Sequence, residues 1–168
     1  MLNLNDEEEN CKVYFKLLID KMSRLFFFKH KKYFSVSFPF TVVVEGSTVL
    51  EVSTYTGRSI GFEIISSAIS ILNNLEFQLD PSPLNFWADS NNSELEALYL
   101  LEEIFLFEPG YLRYDWDPVN ENGKLHPLHH IDVNYSGYGT FKIGLNRELI
   151  IDEFQDVLNI RTNCRFFV

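Results

Sequence analysis

RYDWDPVNENGKLHPLHHIDVNYSGYGTFK, residues Arg113 to Lys142, is the stretch that decides the fold. Its opening alternates: Arg113, Asp115 and Asp117 fall on one side of an extended chain, and Leu112, Tyr114 and Trp116 on the other. Pro118 to Gly123, PVNENG, has the composition of a loop. From His129 the alternation resumes, with His130, Asp132 and Asn134 on one face and Ile131, Val133 and Tyr135 on the other. After a turn, Phe141 and Ile143 are apolar and Lys142 is polar. The apolar sides coincide if Val133 pairs with Phe141 and Ile131 with Ile143, which a three-residue connection, Ser136 to Tyr138, provides. That register sets Asp132 opposite Lys142 and gathers Arg113, Asp115, Asp117, His130, Asp132, Asn134 and Lys142 on one face.

Working outward, the N-terminal side reads first as helix. Asn5 can cap a segment whose first turn holds Asp6, Glu7, Glu8 and Glu9, and Val13, Leu17, Leu18, Met22, Leu25 and Phe26 recur at helical spacing. This predicts a helix over about 6–28, with the basic KHKK of Lys29 to Lys32 complementing its C-terminal end. Ser35 and Ser37 alternate with Phe34, Val36 and Phe38, the pattern of a half-buried strand, and Pro39 marks an edge or bulge. Thr41 to Tyr55 reads as a hairpin turning at Glu45-Gly46-Ser47. A nucleotidyltransferase would need paired acidic residues on the strand that follows, and only Glu51 is there.

A helix follows with Ile60, Ile64, Ala68, Ile71 and Leu72 as its stripe and Ser59 as its cap; LDPSPLNFWADSNN is a loop. Ser93 with Glu96 forms a capping box before ELEALYLLEEIFLF, whose adjacent Glu102 and Glu103 read as a solvated face. Glu108-Pro109-Gly110 ends that helix. A last helix spans about Arg147 to Leu158, and TNCRFFV reads as a strand or docked tail, with Arg161 and Arg165 facing the acidic body. The expectation is one α+β domain over residues 1–168. Its antiparallel sheet takes strands from Phe34 to Tyr55 and from Arg113 to Gly144, and about four helices pack on one side.

Composition bounds the function. The 168 residues are 46% hydrophobic and 15% aromatic, with only 8 Gly and 6 Pro, which is globular rather than disordered. A formal charge of -10 repels nucleic acid at long range, so stable binding to bulk nucleic acid is not expected. Sixteen phenylalanines for this length suggest, beside a Phe-rich core, a surface covered by a protein partner or a second copy. Cys11 and Cys164 make no metal spacing or disulfide framework, which suits a reducing cytoplasm. MLNLNDEEEN lacks the form of a secretory signal, and charges interrupt every apolar run, so no membrane association is expected.

Chemistry concentrates in the polar face. In one reading it is a solvated side with an Asp132–Lys142 ion pair. In the other, His126, His129 and His130 beside Asp115 and Asp132 form a working site. Histidine next to an orienting aspartate suits general acid–base catalysis, and Arg113 and Lys142 would bind phosphate, as in metal-independent RNA cleavage. Alternatively His126 and His130, with Asp115 or Asp132, would hold a divalent metal, although HPLHH matches no established zinc spacing and HExxH is absent. The hairpin also resembles the PD-(D/E)xK nuclease arrangement without its (D/E)-x-K tripeptide. P-loop, GxGxxG, GxSxG and aromatic RNA-binding signatures are missing.

RYDWD, HPLHH and the hairpin after them, Tyr111 to Gly144, resemble the core of an uncharacterised bacterial domain family in which an Arg-aromatic-Asp strand precedes a His-Pro-x-x-His hairpin. Proteins of that kind resemble cargo genes of mobile defence or toxin–antitoxin loci. The resemblance covers about a fifth of the chain and implies that the three histidines act together. The expected function is a small cytoplasmic effector acting on RNA or another phosphodiester; the alternative is a non-enzymatic acidic subunit or inhibitor of a defence complex. Cofactor use, metal use and enzymatic status stay open.

Overall fold

The computed structural model describes residues 14–19, 23–136 and 139–164. In chain order the strands are β1 (Tyr14–Ile19), β2 (Ser23–Lys29), β3 (Lys32–Ser37), β4 (Phe40–Glu45), β5 (Thr48–Thr54), β6 (Leu112–Trp116), β7 (His129–Ser136) and β8 (Gly139–Leu145). The α-helices are α1 (Phe62–Leu72), α2 (Leu75–Leu79), α3 (Asn92–Leu106) and α4 (Ile151–Val157). The fold is α+β, and the chain divides into two compact units. One unit is the chain up to Phe38 together with Pro109 onward; the other is Pro39–Glu108.

The first unit is a six-stranded sheet in the order β1-β2-β3-β6-β7-β8, antiparallel at every pair. Described residues of the expected N-terminal helix are strands instead. SRLFFFK puts Phe26 and Phe28 on one face and Leu25 and Phe27 on the other, and such a two-sided apolar run matches helical spacing as well as a buried strand. Pairing with β1 and β3 on either side decides for strand. The part of that helix over 6–13, and Arg165 of the C-terminal segment, lie outside the described residues. KHKK is accordingly not a helix end: Lys29 pairs with Lys32 across a two-residue turn in which Lys31 takes a left-handed φ of 50°.

One face of this sheet carries Phe26, Phe28, Tyr33, Tyr114 and Ile131, all buried, and α4 covers it through Phe154. The Phe154 ring meets Phe26 edge-on at 6.1 Å and Tyr33 at 5.9 Å. Ser35 points to this side as well, fully buried. Its hydroxyl donates to the Leu25 carbonyl (2.8 Å) and accepts from Arg24 Nε (3.0 Å). The serine side of β3 is thus the core side, because Tyr33 and not Phe34 aligns with Phe28 and Tyr114.

At the other end of the sheet Val133 pairs with Phe141, Ile131 with Ile143 and Asp132 with Lys142, the register the apolar alternation demands. The tip differs. Ser136 pairs with Gly139, leaving a two-residue connection, and a bulge between Val133 and Ser136 absorbs the odd residue with Asn134 at φ 51°.

The second unit holds β4 and β5 as a separate two-stranded sheet, so the Thr41 to Tyr55 hairpin forms but does not join the larger sheet. Helices α1, α2 and α3 belong to this unit, and α4 packs on the six-stranded sheet of its own unit. Ala68 and Ile71 of α1 meet Ala97, Leu98, Leu100 and Leu101 of α3, with Phe77 of α2. The α3 capping box is Asn91 with Glu94, two residues earlier than Ser93 with Glu96: the Asn91 side chain accepts from Glu94 N–H (3.1 Å), and Glu94 accepts from Asn91 N–H (2.9 Å). Pro83–Asp89, expected as loop, winds into a 3-10 helix. Glu103 is not merely solvated, since it accepts from Thr56 at 2.9 Å and lies 3.5 Å from Arg58 Nε.

Candidate functional site

The sheet face opposite α4 carries Arg113 and Asp115 from β6 and His130 and Asp132 from β7. Arg113 stands opposite Asp132, and Asp115 stands between His130 and Lys32. This face is not a solvated one at its centre: Asp115 is 3% exposed and His130 and Asp132 are each 1% exposed. Burial of two carboxylates demands partners. Arg113 supplies them, its Nη2 donating to Asp132 Oδ2 (2.6 Å) while its Nε lies 2.7 Å from Asp115 Oδ2. Lys32 Nζ adds a contact at 3.2 Å to Asp115 Oδ1. Burial disfavours the Arg113 charge, but Asp115 and Asp132 outweigh it and hold the guanidinium above its ordinary range. The Asp132–Lys142 ion pair is not made, because Arg113 takes Asp132.

His130 is fixed from behind. Its Nδ1 lies 2.9 Å from the Pro127 carbonyl, which can only accept, so Nδ1 carries a proton. Nε2 faces Asp115 Oδ2 at 3.8 Å and Asp132 Oδ2 at 3.9 Å, beyond hydrogen-bond reach. The loop from β6 to β7 makes this possible by lying close on the sheet: a Cβ at Gly144, the residue opposite His130, would meet Pro127 Cγ at 3.0 Å.

His126 sits in front of His130, ring centroids 4.6 Å apart and nearly perpendicular. Lys142 Nζ lies 2.9 Å from His126 Nδ1, and an ammonium can only donate, so Nδ1 accepts. His126 Nε2–H then points to Asp117 Oδ2 at 3.2 Å. Asn120 donates to Asp117 and is the main reason its carboxyl is pushed down to about 2; His126 adds to this. His126 and Asp117 remain about a quarter exposed, and Lys142 is exposed, so this part of the cluster is open to a solute.

His129 is not part of it. Adjacent residues on a strand point to opposite faces, and His129 stacks on Tyr114 on the α4 side, its Nδ1 2.9 Å from the Tyr114 hydroxyl. Burial drives that hydroxyl up to about 12. Of the sequence candidates, the structure therefore assembles His126, His130, Asp115, Asp132, Arg113 and Lys142, and separates His129. It adds Asp117, Asn120 and Lys32. Asp117 was legible from its strand position, whereas Lys32 was hidden by the helical reading of the segment before it.

Comparison of the chain with protein-family models, with curated proteins and with solved structures gave no match. Among the described residues no helix is long and apolar enough to cross a membrane.

Proposed function

We propose that the protein acts on a phosphodiester, with RNA as the first candidate, as a small cytoplasmic effector of a bacterial defence or toxin–antitoxin system. The observation that carries this reading is the Lys142–His126–Asp117 relay, in which a neutral imidazole is held between a cation and an orienting carboxylate at the edge of the buried cluster. A phosphate arriving there draws Lys142 onto its oxygens and frees His126 Nδ1. Nδ1 takes the proton of the ribose 2′-hydroxyl, the 2′-oxygen bonds to phosphorus, and the bond to the 5′-oxygen breaks, that oxygen taking a proton from water. Asp117 stabilises the imidazolium, and Arg113, committed to Asp115 and Asp132, stiffens the floor rather than binding phosphate. The charge of -10 disfavours long polyanions, so the favoured substrate is a short or single-stranded segment.

A second reading, an acidic subunit or inhibitor of a defence complex, draws on another observation. Phe27 stacks on Phe34 at 4.4 Å on the same face as the cluster, with Phe15 and Tyr111 beside them, an aromatic strip suited to a protein partner. The test is incubation of purified protein with single-stranded RNA, comparing wild type with His126→Ala of matched circular dichroism. Loss of about a hundred-fold or more in cleavage supports the relay. RNA left intact by the wild type, or cut equally by both, overturns it in favour of the partner reading.

A further inference from the structure

The buried half of the cluster holds chemistry that the relay does not use. We infer that Asp115, His130 and Asp132 form a binding site for one divalent transition-metal cation of the zinc, manganese and cobalt class. This goes beyond the phosphodiester reading and stands or falls without it. Each residue offers one ligand atom, and the three atoms lie within 4.8 Å of one another. Ligands of a shared zinc-like ion lie about 2.0–2.2 Å from it and hence about 3–3.5 Å apart, so the set closes by under about 1 Å from His130 Nε2 to each carboxylate and by at most about 1.8 Å between the carboxylates.

Two features point to a cation rather than to an accidental grouping. His130 Nε2 faces two carboxylate oxygens at 3.8 and 3.9 Å, too far for a hydrogen bond to either and near enough for one ion to bridge all three. The Pro127 carbonyl behind Nδ1 is the outer-shell partner that metal-binding histidines generally have. Independently, Asp132 Oδ1 is buried with no hydrogen-bond partner among the described residues, in a side chain 1% exposed. A buried carboxylate oxygen without a donor is a costly state that a bound ion removes. His126 is excluded from the ligand set, because Asp117 and Lys142 engage its two nitrogens.

One nitrogen and two carboxylates suit a borderline cation with water completing the shell, and fall short of the six to eight oxygens that calcium takes. Arg113 is the competitor. Its nitrogens stand 2.6 and 2.7 Å from the same Oδ2 atoms, so it neutralises the aspartates when no metal is present and repels a divalent ion when one enters. The affinity of the site is set by that competition.

The experiment is titration of the purified protein with zinc and manganese chlorides by calorimetry, and with cobalt chloride by visible absorption. Wild type, Arg113→Gln and Asp132→Asn are compared. The expected result is one equivalent of metal, bound at least about ten-fold tighter by Arg113→Gln and lost in Asp132→Asn. The cobalt spectrum should show nitrogen and oxygen ligation without the charge-transfer band of a thiolate. Absence of binding in both wild type and Arg113→Gln overturns the inference and leaves Arg113 and Lys32 as the counter-ions of the two aspartates. Binding that Asp132→Asn retains, that Arg113→Gln weakens, or that carries the thiolate band of Cys164 overturns it equally. Should Asp132→Asn fail to fold, the order of affinity between wild type and Arg113→Gln decides alone.

Discussion

The two faces of the six-stranded sheet bury comparable side chains by opposite means. On one face Tyr114 and Ile131 are sealed by Phe26, Phe28 and Phe154. One residue along the same strands, Asp115, His130 and Asp132 are sealed to the same degree by charge pairing with Arg113 and by the loop that carries Pro127. Apolar packing is non-directional and tolerates loss of a contact, whereas paired charges are stable only as a set. Residues that are neighbours in sequence therefore have unrelated sensitivities.

The sharpest way to break the contrast is to remove one charge. Asp132→Ala is expected to destabilise the protein by about 3–5 kcal/mol, since it leaves two cations, Arg113 and Lys32, against the single buried carboxylate of Asp115. Arg113→Met combined with Asp132→Leu should recover most of that loss, because the uncompensated charge goes as well. Urea denaturation of the three proteins checks this; a double variant as unstable as the single would show that the face depends on the ions themselves. On the opposite face, His129→Ala leaves the buried Tyr114 hydroxyl without its ring partner and should cost about 1–3 kcal/mol. His126→Ala, at a partly open position, should stay within about 0.5 kcal/mol of wild type by the same measurement. Equal effects at the two histidines would erase the distinction drawn between the faces.

The smallest expected effect is alkaline. The Tyr114 hydroxyl is raised from 10.0 to about 12, so the folded protein holds its proton more tightly than the unfolded chain does. The corresponding stability is fully present below pH 10 and is lost as pH rises through 12. Melting temperature followed across that window, with Tyr114→Phe as reference, measures it; parallel curves for the two proteins would show that another group governs the alkaline limit.

Much of the site was legible because alternation on β6, β7 and β8 is strict: a shift of one residue exchanges the faces, so the apolar partners Ile131–Ile143 and Val133–Phe141 fix Asp132 and Lys142 opposite each other. The N-terminal strands were not legible, since Leu25 to Phe28 are apolar on both faces and carry no period of two. The contribution of Lys32 went with them, because a lysine on a helix end has no reason to reach Asp115. Nor could alternation show that β4 and β5 form a two-stranded sheet of their own. Local pattern describes a strand's faces; it does not name its neighbours. The grouping of three histidines was half right in space, and the alternation rule itself separates His129 from His130.

The bulge at Asn134 gives this arrangement a particular tolerance to change in length. It takes up one residue between the turn and the paired core of β7 and β8, so deleting Asn134 would leave a regular two-residue hairpin with Asp132 still facing Lys142. The tip of the hairpin is thereby free to gain or lose a residue as lineages diverge, while the register beneath it stays fixed. Sequences related to this one are to be sought by the spacing of the strands' paired residues, with the distance across the turn left variable.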